Sequence, residues 1–90
     1  MKIIYRQHAV KRMYERRITE EQVEHAMASG TIIESYSNDQ PYPSALLLGH
    51  AGIKTIHVVY ADDAGHDTRI IITVYEPDLA VWRDDLKTRR

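Results

Sequence analysis

Apolar positions near the amino end of the chain repeat with the period of an α-helix. Over residues 6–16, Ala9, Val10 and Met13 form one stripe, while Lys11 faces away from it. This amphipathic pattern predicts a first helix over that segment.

The next segment carries the signature of a helix start. Thr19-Glu20-Glu21-Gln22 has the spacing of a capping box, in which the side chains of Thr19 and Gln22 each bond the backbone of the other residue. We therefore expect a second helix to begin at Glu20, and Gly30 to end it in the left-handed conformation. Its buried stripe is expected to comprise Val23, Ala26 and Met27.

From Thr31 the pattern changes to the two-residue alternation of β-strands. The predicted strands are Thr31–Tyr36, Ser44–Leu48, Lys54–Ala61 and Thr68–Glu76. Their connections are too short to contain crossover helices, so we expect an antiparallel meander. Pro77 and Asp78 then open a predicted closing helix, which places Leu79, Trp82 and Leu86 on one side.

The order of elements, ααββββα, predicts an α+β fold in which two amino-terminal helices pack on a four-stranded antiparallel sheet and a short helix closes the chain. A chain of 90 residues is expected to form a single domain over residues 1–90. One face of the sheet is expected to be uniformly apolar. The other face is expected to mix aliphatic side chains with His57, Arg69, Thr73 and Tyr75.

Composition excludes several classes of protein and site. The chain has no cysteine, which excludes a disulfide framework, a thiolate zinc site and a cysteine nucleophile. The histidines lack metal-ligand spacing and no Gly-rich phosphate loop is present, so we expect neither a metal nor a cofactor. Apolar runs are only a few residues long, so we expect neither a membrane segment nor a signal peptide. We expect a cytoplasmic location.

The net charge of −1 conceals an uneven distribution. Residues 1–17 carry a net charge of +5 and the remainder carries −6. With a pI near 6.5 the chain is not a general polyanion binder, although a local basic patch could hold one or two phosphates. The alternative is a solvated helix face that balances an acidic remainder.

His8 and Arg12 lie four residues apart and therefore share one face of the first helix. A neutral imidazole beside a guanidinium is suited to holding a phosphodiester and moving its proton. The alternative is that His8 packs or caps, while Arg12 pairs with a carboxylate such as Glu15 or Glu24.

Three residues of the later strands could complete such a site. Thr73 and Tyr75 place two hydroxyls on one strand face, although both residue types are also favoured in strands for packing. His57 lies among apolar neighbours, where it is either a hydrogen-bonded core residue or a base. If the helices cover the apolar face, the first helix must cross the sheet edge to bring His8 and Arg12 to these residues. Alternatively, the helices cover the polar face, and the two helical residues form a buried hydrogen-bond network with Thr73 and Tyr75.

These positions occur within a longer set of motifs that resembles one family. The motifs are His8-Ala9, Arg12-Met13, Arg16, Ile18, Gly30, Tyr36, Pro41-Tyr42-Pro43-Ser44, Leu48-Gly49, His57-Val58-Val59, Ile72-Thr73-Val74-Tyr75-Glu76-Pro77 and Trp82. Together they resemble the domain-of-unknown-function family numbered 4258, from about residue 6 to residue 83. Such domains look like compact relatives of the RelE and MqsR type toxins, which are small metal-free endoribonucleases often encoded beside antitoxin partners.

The resemblance implies cleavage of single-stranded RNA by the neighbouring 2′-hydroxyl, by a toxin-like endoribonuclease or a degenerate relative of one. The residues carried over are His8, Arg12, Thr73 and Tyr75, with His8 or His57 as base or acid, Arg12 as phosphate clamp and Tyr75 as orienting donor. Arg6, Arg16 and Arg69 are the further expected RNA contacts.

A second hypothesis is a non-catalytic module that binds a protein through a sheet edge or the Pro41–Ser44 loop. The partner would be an antitoxin-like protein, or a second copy in a homodimer, since the core of a chain this short is thin. A third hypothesis is a nucleic-acid binder without chemistry.

Overall fold

The structure is a computed structural model that describes residues 1–90 as two helices and five strands. The elements are β1 (Lys2–Tyr5), α1 (Gln7–Arg16), α2 (Glu20–Ser29), β2 (Thr31–Tyr36), β3 (Ser44–Ala51), β4 (Lys54–Asp63) and β5 (Thr68–Tyr75). A single 3₁₀ turn at Ala64–His66 joins β4 to β5. Neither helix is long and apolar enough to cross a membrane.

Both predicted amino-terminal helices are present, and the capping box is confirmed. Thr19 Oγ1 accepts from the Gln22 N–H at 3.1 Å, and Gln22 Oε1 accepts from the Thr19 N–H at 3.0 Å. The left-handed residue lies elsewhere than expected. Arg17 adopts it at φ 56° and ends α1, whereas Gly30 is extended at φ −84°. Gly30 is needed for space, because a Cβ there would lie 2.5 Å from Leu47 Cδ2.

The prediction of a four-stranded antiparallel sheet is wrong. The sheet has five strands in the order β1-β5-β4-β3-β2, and β1 pairs with β5 in parallel. The four predicted strands do pair as antiparallel neighbours. The fifth strand was missed because four residues are too few for a periodic signal, and the partner of β1 lies more than sixty residues away along the chain.

The predicted carboxyl-terminal helix is also wrong. Residues 77–90, the C-terminal segment, form turns and one isolated bridge between Trp82 and Arg89. The Asp78 side chain accepts from the Ala80 N–H, and Leu86 at φ 59° reverses the chain, so neither turn propagates into a helix. The helical spacing of apolar residues was misleading, because Trp82 is 2% exposed whereas Leu79 is 54% exposed.

The two faces of the sheet are covered by different parts of the chain. Apolar side chains of α1 and α2 form the main core with one face. Its buried members are Ala9, Met13, Ile18, Val23, Ala26, Leu47, Ala51, Ile56, Val58, Tyr60, Ile71 and Val74. The C-terminal segment packs on the opposite face, where Trp82 and the Leu86 carbonyl contact His57.

A β-bulge changes which residues of β5 face the helices. Tyr60 pairs with Ile71 and Val59 pairs with Thr73, so Ile72 is the extra residue. Strict alternation places Ile71 on the polar face. The bulge instead brings Ile71 to the helix-facing side, where Val74 also lies. The polar face keeps His57, Thr73 and Tyr75. Arg69 was expected there, but it lies on the helix-facing side, where it stacks over Tyr60.

Candidate functional site

His57 is the centre of a hydrogen-bonded network on the polar face of the sheet. Its side chain is 0% exposed, with Nε2 2.7 Å from the Leu86 carbonyl oxygen and Nδ1 3.1 Å from the Tyr75 hydroxyl. A carbonyl oxygen only accepts, so Nε2 carries the proton and the bare Nδ1 accepts from Tyr75. Burial lowers the pKa of His57, which favours this neutral form.

The C-terminal segment is fixed over this network by aromatic and ionic contacts. The Trp82 ring meets the His57 ring edge-on at 4.6 Å between centroids. The Arg89 guanidinium lies 4.5 Å over the Trp82 ring and forms two hydrogen bonds with Glu34, at 3.0 and 3.1 Å. Hydrogen bonding from Arg89 is the largest cause of the lowered pKa of Glu34. The Tyr36 hydroxyl also donates a hydrogen bond to the Glu34 carboxylate.

A cleft of about 340 Å³ opens beside the network at the end of β5. Its lining residues are Arg12, Arg16, Tyr75, Glu76, Asp78, Val81, Trp82 and Arg89. They come from three parts of the chain: the second half of α1, the end of β5 and the C-terminal segment.

The sheet topology explains how α1 reaches Tyr75. The short strand β1 pairs with residues 68–71 of β5 and leaves residues 72–75 without a neighbour on that edge. Residues of α1 pack against β5, and Arg12 and Arg16 share the cleft with Tyr75. The first helix therefore crosses the sheet edge, which is one of the two arrangements left open by the sequence.

Two guanidinium groups in the cleft have no partner. Neither Arg12 nor Arg16 forms a side-chain hydrogen bond or ion pair, and the buried Arg12 Nε has no acceptor. A buried donor without an acceptor is costly, so an anionic oxygen that satisfied it would be favoured.

Burial raises the pKa of Tyr75, which keeps its hydroxyl protonated at neutral pH.

The structure brings some of the sequence-derived candidates together. Arg12, Arg16 and Tyr75 line the cleft, and His57 joins them through its bond to Tyr75. Thr73 lies on the same face, paired with Val59, but does not line the cleft.

Three other candidates lie away from the cleft. His8 is exposed on α1, and Arg6 is exposed immediately before that helix. Arg69 forms two hydrogen bonds with Asp62, at 2.7 and 2.9 Å, and its guanidinium stacks 4.4 Å over Tyr60. The guanidinium of Arg69 is therefore already occupied.

Five of the eight residues that line the cleft were not anticipated as site residues. Asp78 and Val81 belong to a segment that was expected to be helical, and Trp82 was expected on the apolar side of that helix. Arg89 follows the segment and carried no assigned role. Glu76 lies within a motif of the resemblance but carried no assigned role. The usable signal was Pro77, which lacks the N–H needed to continue the strand ladder, so the residues after it must leave the sheet.

The comparison with known families gives one match. The family model described as Domain of unknown function (DUF4258) matches residues 5–76. No curated protein and no solved structure matches the chain. The family match covers α1 and all of β5 but ends before the C-terminal segment.

Proposed function

Because the chain belongs to the DUF4258 family, whose description assigns no activity, we propose its function from the cleft: endonucleolytic cleavage of single-stranded RNA. One observation carries the proposal. Two unpaired guanidinium groups stand beside a tyrosine hydroxyl that is hydrogen-bonded to a buried neutral imidazole.

Arg12 and Arg16 bind the phosphodiester. They lie one helical turn apart, so their guanidinium groups can approach one phosphate from neighbouring directions. Because they are not engaged by carboxylates, binding does not require an existing ion pair to be broken. Their charge stabilises the extra negative charge that develops on the phosphorus oxygens in the transition state.

Tyr75 and His57 transfer the proton. The 2′-hydroxyl of the RNA gives its proton to Tyr75 Oη while the Tyr75 proton moves to His57 Nδ1. The 2′-oxygen attacks phosphorus and the bond to the 5′-oxygen breaks. That oxygen leaves with a proton from solvent water, so the products are a 2′,3′-cyclic phosphate and a 5′-hydroxyl. The Leu86 carbonyl accepts from Nε2 of the imidazolium ion as it does in the resting state. The Nδ1 proton then returns through Tyr75 Oη to the hydroxide left by that water, which restores both groups.

Cleavage assays with matched variants test this proposal. We expect the protein to cut a single-stranded RNA oligonucleotide into fragments with 2′,3′-cyclic phosphate ends, and to leave its 2′-deoxy counterpart intact. Arg12→Gln and Tyr75→Phe are each expected to lower the rate by about 10²- to 10⁴-fold. Arg69→Gln is the control, because Arg69 lies outside the cleft.

Two results would overturn the proposal. One is intact RNA at high enzyme concentration. The other is equal cleavage by the wild type and by a folded Tyr75→Phe variant, whose far-ultraviolet circular dichroism matches the wild type.

A further inference from the structure

Phosphate binding does not account for the two carboxylates in the cleft. Glu76 and Asp78 line it together with Arg12 and Arg16, yet no ion pair joins the acidic residues to the basic ones. A carboxylate repels a phosphate, so free carboxylates in such a site favour a ligand that also presents hydrogen-bond donors.

The two carboxylates differ in whether they already accept a hydrogen bond. Asp78 Oδ1 accepts from the Ala80 N–H at 2.9 Å, which fixes the turn that leads to Val81. Glu76 is exposed and has no hydrogen-bond or ionic partner, so both of its oxygens can accept from a ligand. Glu76 is therefore the group in the cleft with the most unused acceptor capacity.

The chemistry of a free carboxylate matches one nucleobase best. Two carboxylate oxygens can accept from two adjacent N–H groups, and guanine presents such a pair at N1 and its 2-amino group. On their Watson–Crick edges adenine, cytosine and uracil each present a single donor position flanked by an acceptor. A carboxylate near that edge therefore favours guanine over the other three bases.

Another part of the cleft lining provides a guanidinium for the base to stack on. Arg89 Cζ lies 4.5 Å from the centroid of the Trp82 ring, both residues line the cleft, and about half of the Arg89 side chain is exposed. Bases of single-stranded RNA stack on guanidinium planes as they do on aromatic rings. The glutamate, the Arg89 guanidinium and the two phosphate-binding arginines together provide contacts for the base and the phosphate of one nucleotide.

We propose that the cleft selects a guanine beside the bound phosphate, and that Glu76 is the specificity-determining residue. This inference rests on the proposed function, because it takes the cleft to be an RNA site. Glu76 acts on the choice of base and takes no part in the proton transfer through Tyr75.

Binding of non-cleavable oligonucleotides tests the inference. We would measure fluorescence anisotropy with 2′-O-methyl UUGUU, UUIUU and UUAUU, where inosine lacks the 2-amino group of guanine. The guanine oligonucleotide is expected to bind roughly tenfold more tightly than the adenine one, with inosine between them. Glu76→Gln is expected to remove this preference without weakening the binding of UUAUU. Glu21→Gln, an exposed position on α2, is the control and should keep the preference.

The outcomes separate the two proposals. Equal binding of all three oligonucleotides by the wild type, or an unchanged guanine preference in Glu76→Gln, would overturn the role of Glu76 and leave the cleft as an RNA site. Failure of every oligonucleotide to bind would overturn the proposed function and this inference with it.

Discussion

His57 is fully buried, and both of its ring nitrogens are already hydrogen-bonded. Protonation at Nδ1 would require the Tyr75 hydroxyl to turn and accept, so the bond that holds the network would reverse its direction. In the proposed reaction this reversal follows proton transfer from RNA. In the resting protein the need for this reversal disfavours protonation of His57 when the pH falls.

The stability of the protein should therefore fall between pH 7.5 and pH 5.5. Burial lowers the pKa of folded His57 below the value near 6.5 of the unfolded chain, so over part of this interval the unfolded state binds the proton more readily. Stability is present above the unfolded pKa and is lost as the pH falls toward the folded one. Urea unfolding followed by the fluorescence of Trp82, the single tryptophan, measures the change.

His57→Gln is the control for this pH effect. The variant is expected to lose less unfolding free energy than the wild type over the same interval, because the titrating group is gone. Glu34 does not interfere, since hydrogen bonding to Arg89 lowers its pKa and keeps it ionised there. Equal losses in the two proteins would show that His57 does not titrate as described.

At the scale of elements, the C-terminal segment depends on one anchor. Trp82 is the only large apolar side chain that the segment buries completely, and it contacts both His57 and Arg89. Trp82→Ala should cost about 3–5 kcal/mol of unfolding free energy, because it removes this packing and leaves a cavity. Trp82→Phe should cost less, since most of the apolar volume is kept. Thermal unfolding by circular dichroism distinguishes them, and equal melting temperatures for wild type and Trp82→Ala would contradict this description of the segment.

The approach of α2 to β3 depends on a glycine. A Cβ at Gly49 would lie 2.6 Å from the Ala26 carbonyl oxygen and 2.7 Å from Ala26 Cβ, so Gly49→Ala must push the helix away from the strand. We expect a loss of about 1–3 kcal/mol in the free energy of unfolding. Gly65→Ala is the comparison, because its nearest contact would be an ordinary 3.6 Å. A Gly49→Ala variant as stable as Gly65→Ala would contradict the packing.

Elements with local signals could be predicted from the sequence. The capping box at Thr19 and the alternation of Thr31–Tyr36 depend on neighbours within a few residues, and both were correct. The pairing of β1 with β5 and the path of the C-terminal segment depend on contacts far apart in the chain. Periodicity carries no information about such contacts, so the first was missed and the second was predicted wrongly.

The candidate site shows the same division. The spacing of Arg12 and Arg16 on one helix and the position of Tyr75 near a strand end were available from the pattern. That Arg12 would line one cleft with Tyr75 while His8 lies outside it depends on where α1 crosses the sheet edge, next to the short β1. Glu76 and Arg89 enter the cleft only through the fold of residues 77–90.

At the scale of the whole molecule, charge limits how strongly RNA can bind. The net charge is −1, so attraction to a polyanion comes from the local guanidinium groups rather than from the molecule as a whole. If Arg12 and Arg16 neutralise about two phosphates, the logarithm of the binding constant should fall with the logarithm of salt concentration with a slope of about −1.4.

Titrations at several salt concentrations measure this slope. Arg12→Gln should make it shallower by about 0.7, whereas Arg69→Gln should leave it unchanged because that guanidinium is bonded to Asp62. A slope near zero in the wild type would mean that phosphate contacts do not drive binding.

The most direct test of the account is to locate bound RNA on the protein. In two-dimensional ¹H–¹⁵N NMR spectra, titration with 2′-O-methyl UUGUU is expected to shift the Trp82 indole N–H and the backbone amides of Arg12, Arg16, Tyr75 and Glu76, which border one cleft. The amides around Arg69 on the helix-facing side should stay in place. Shifts confined to residues outside the cleft, or none at saturating oligonucleotide, would contradict the central claim.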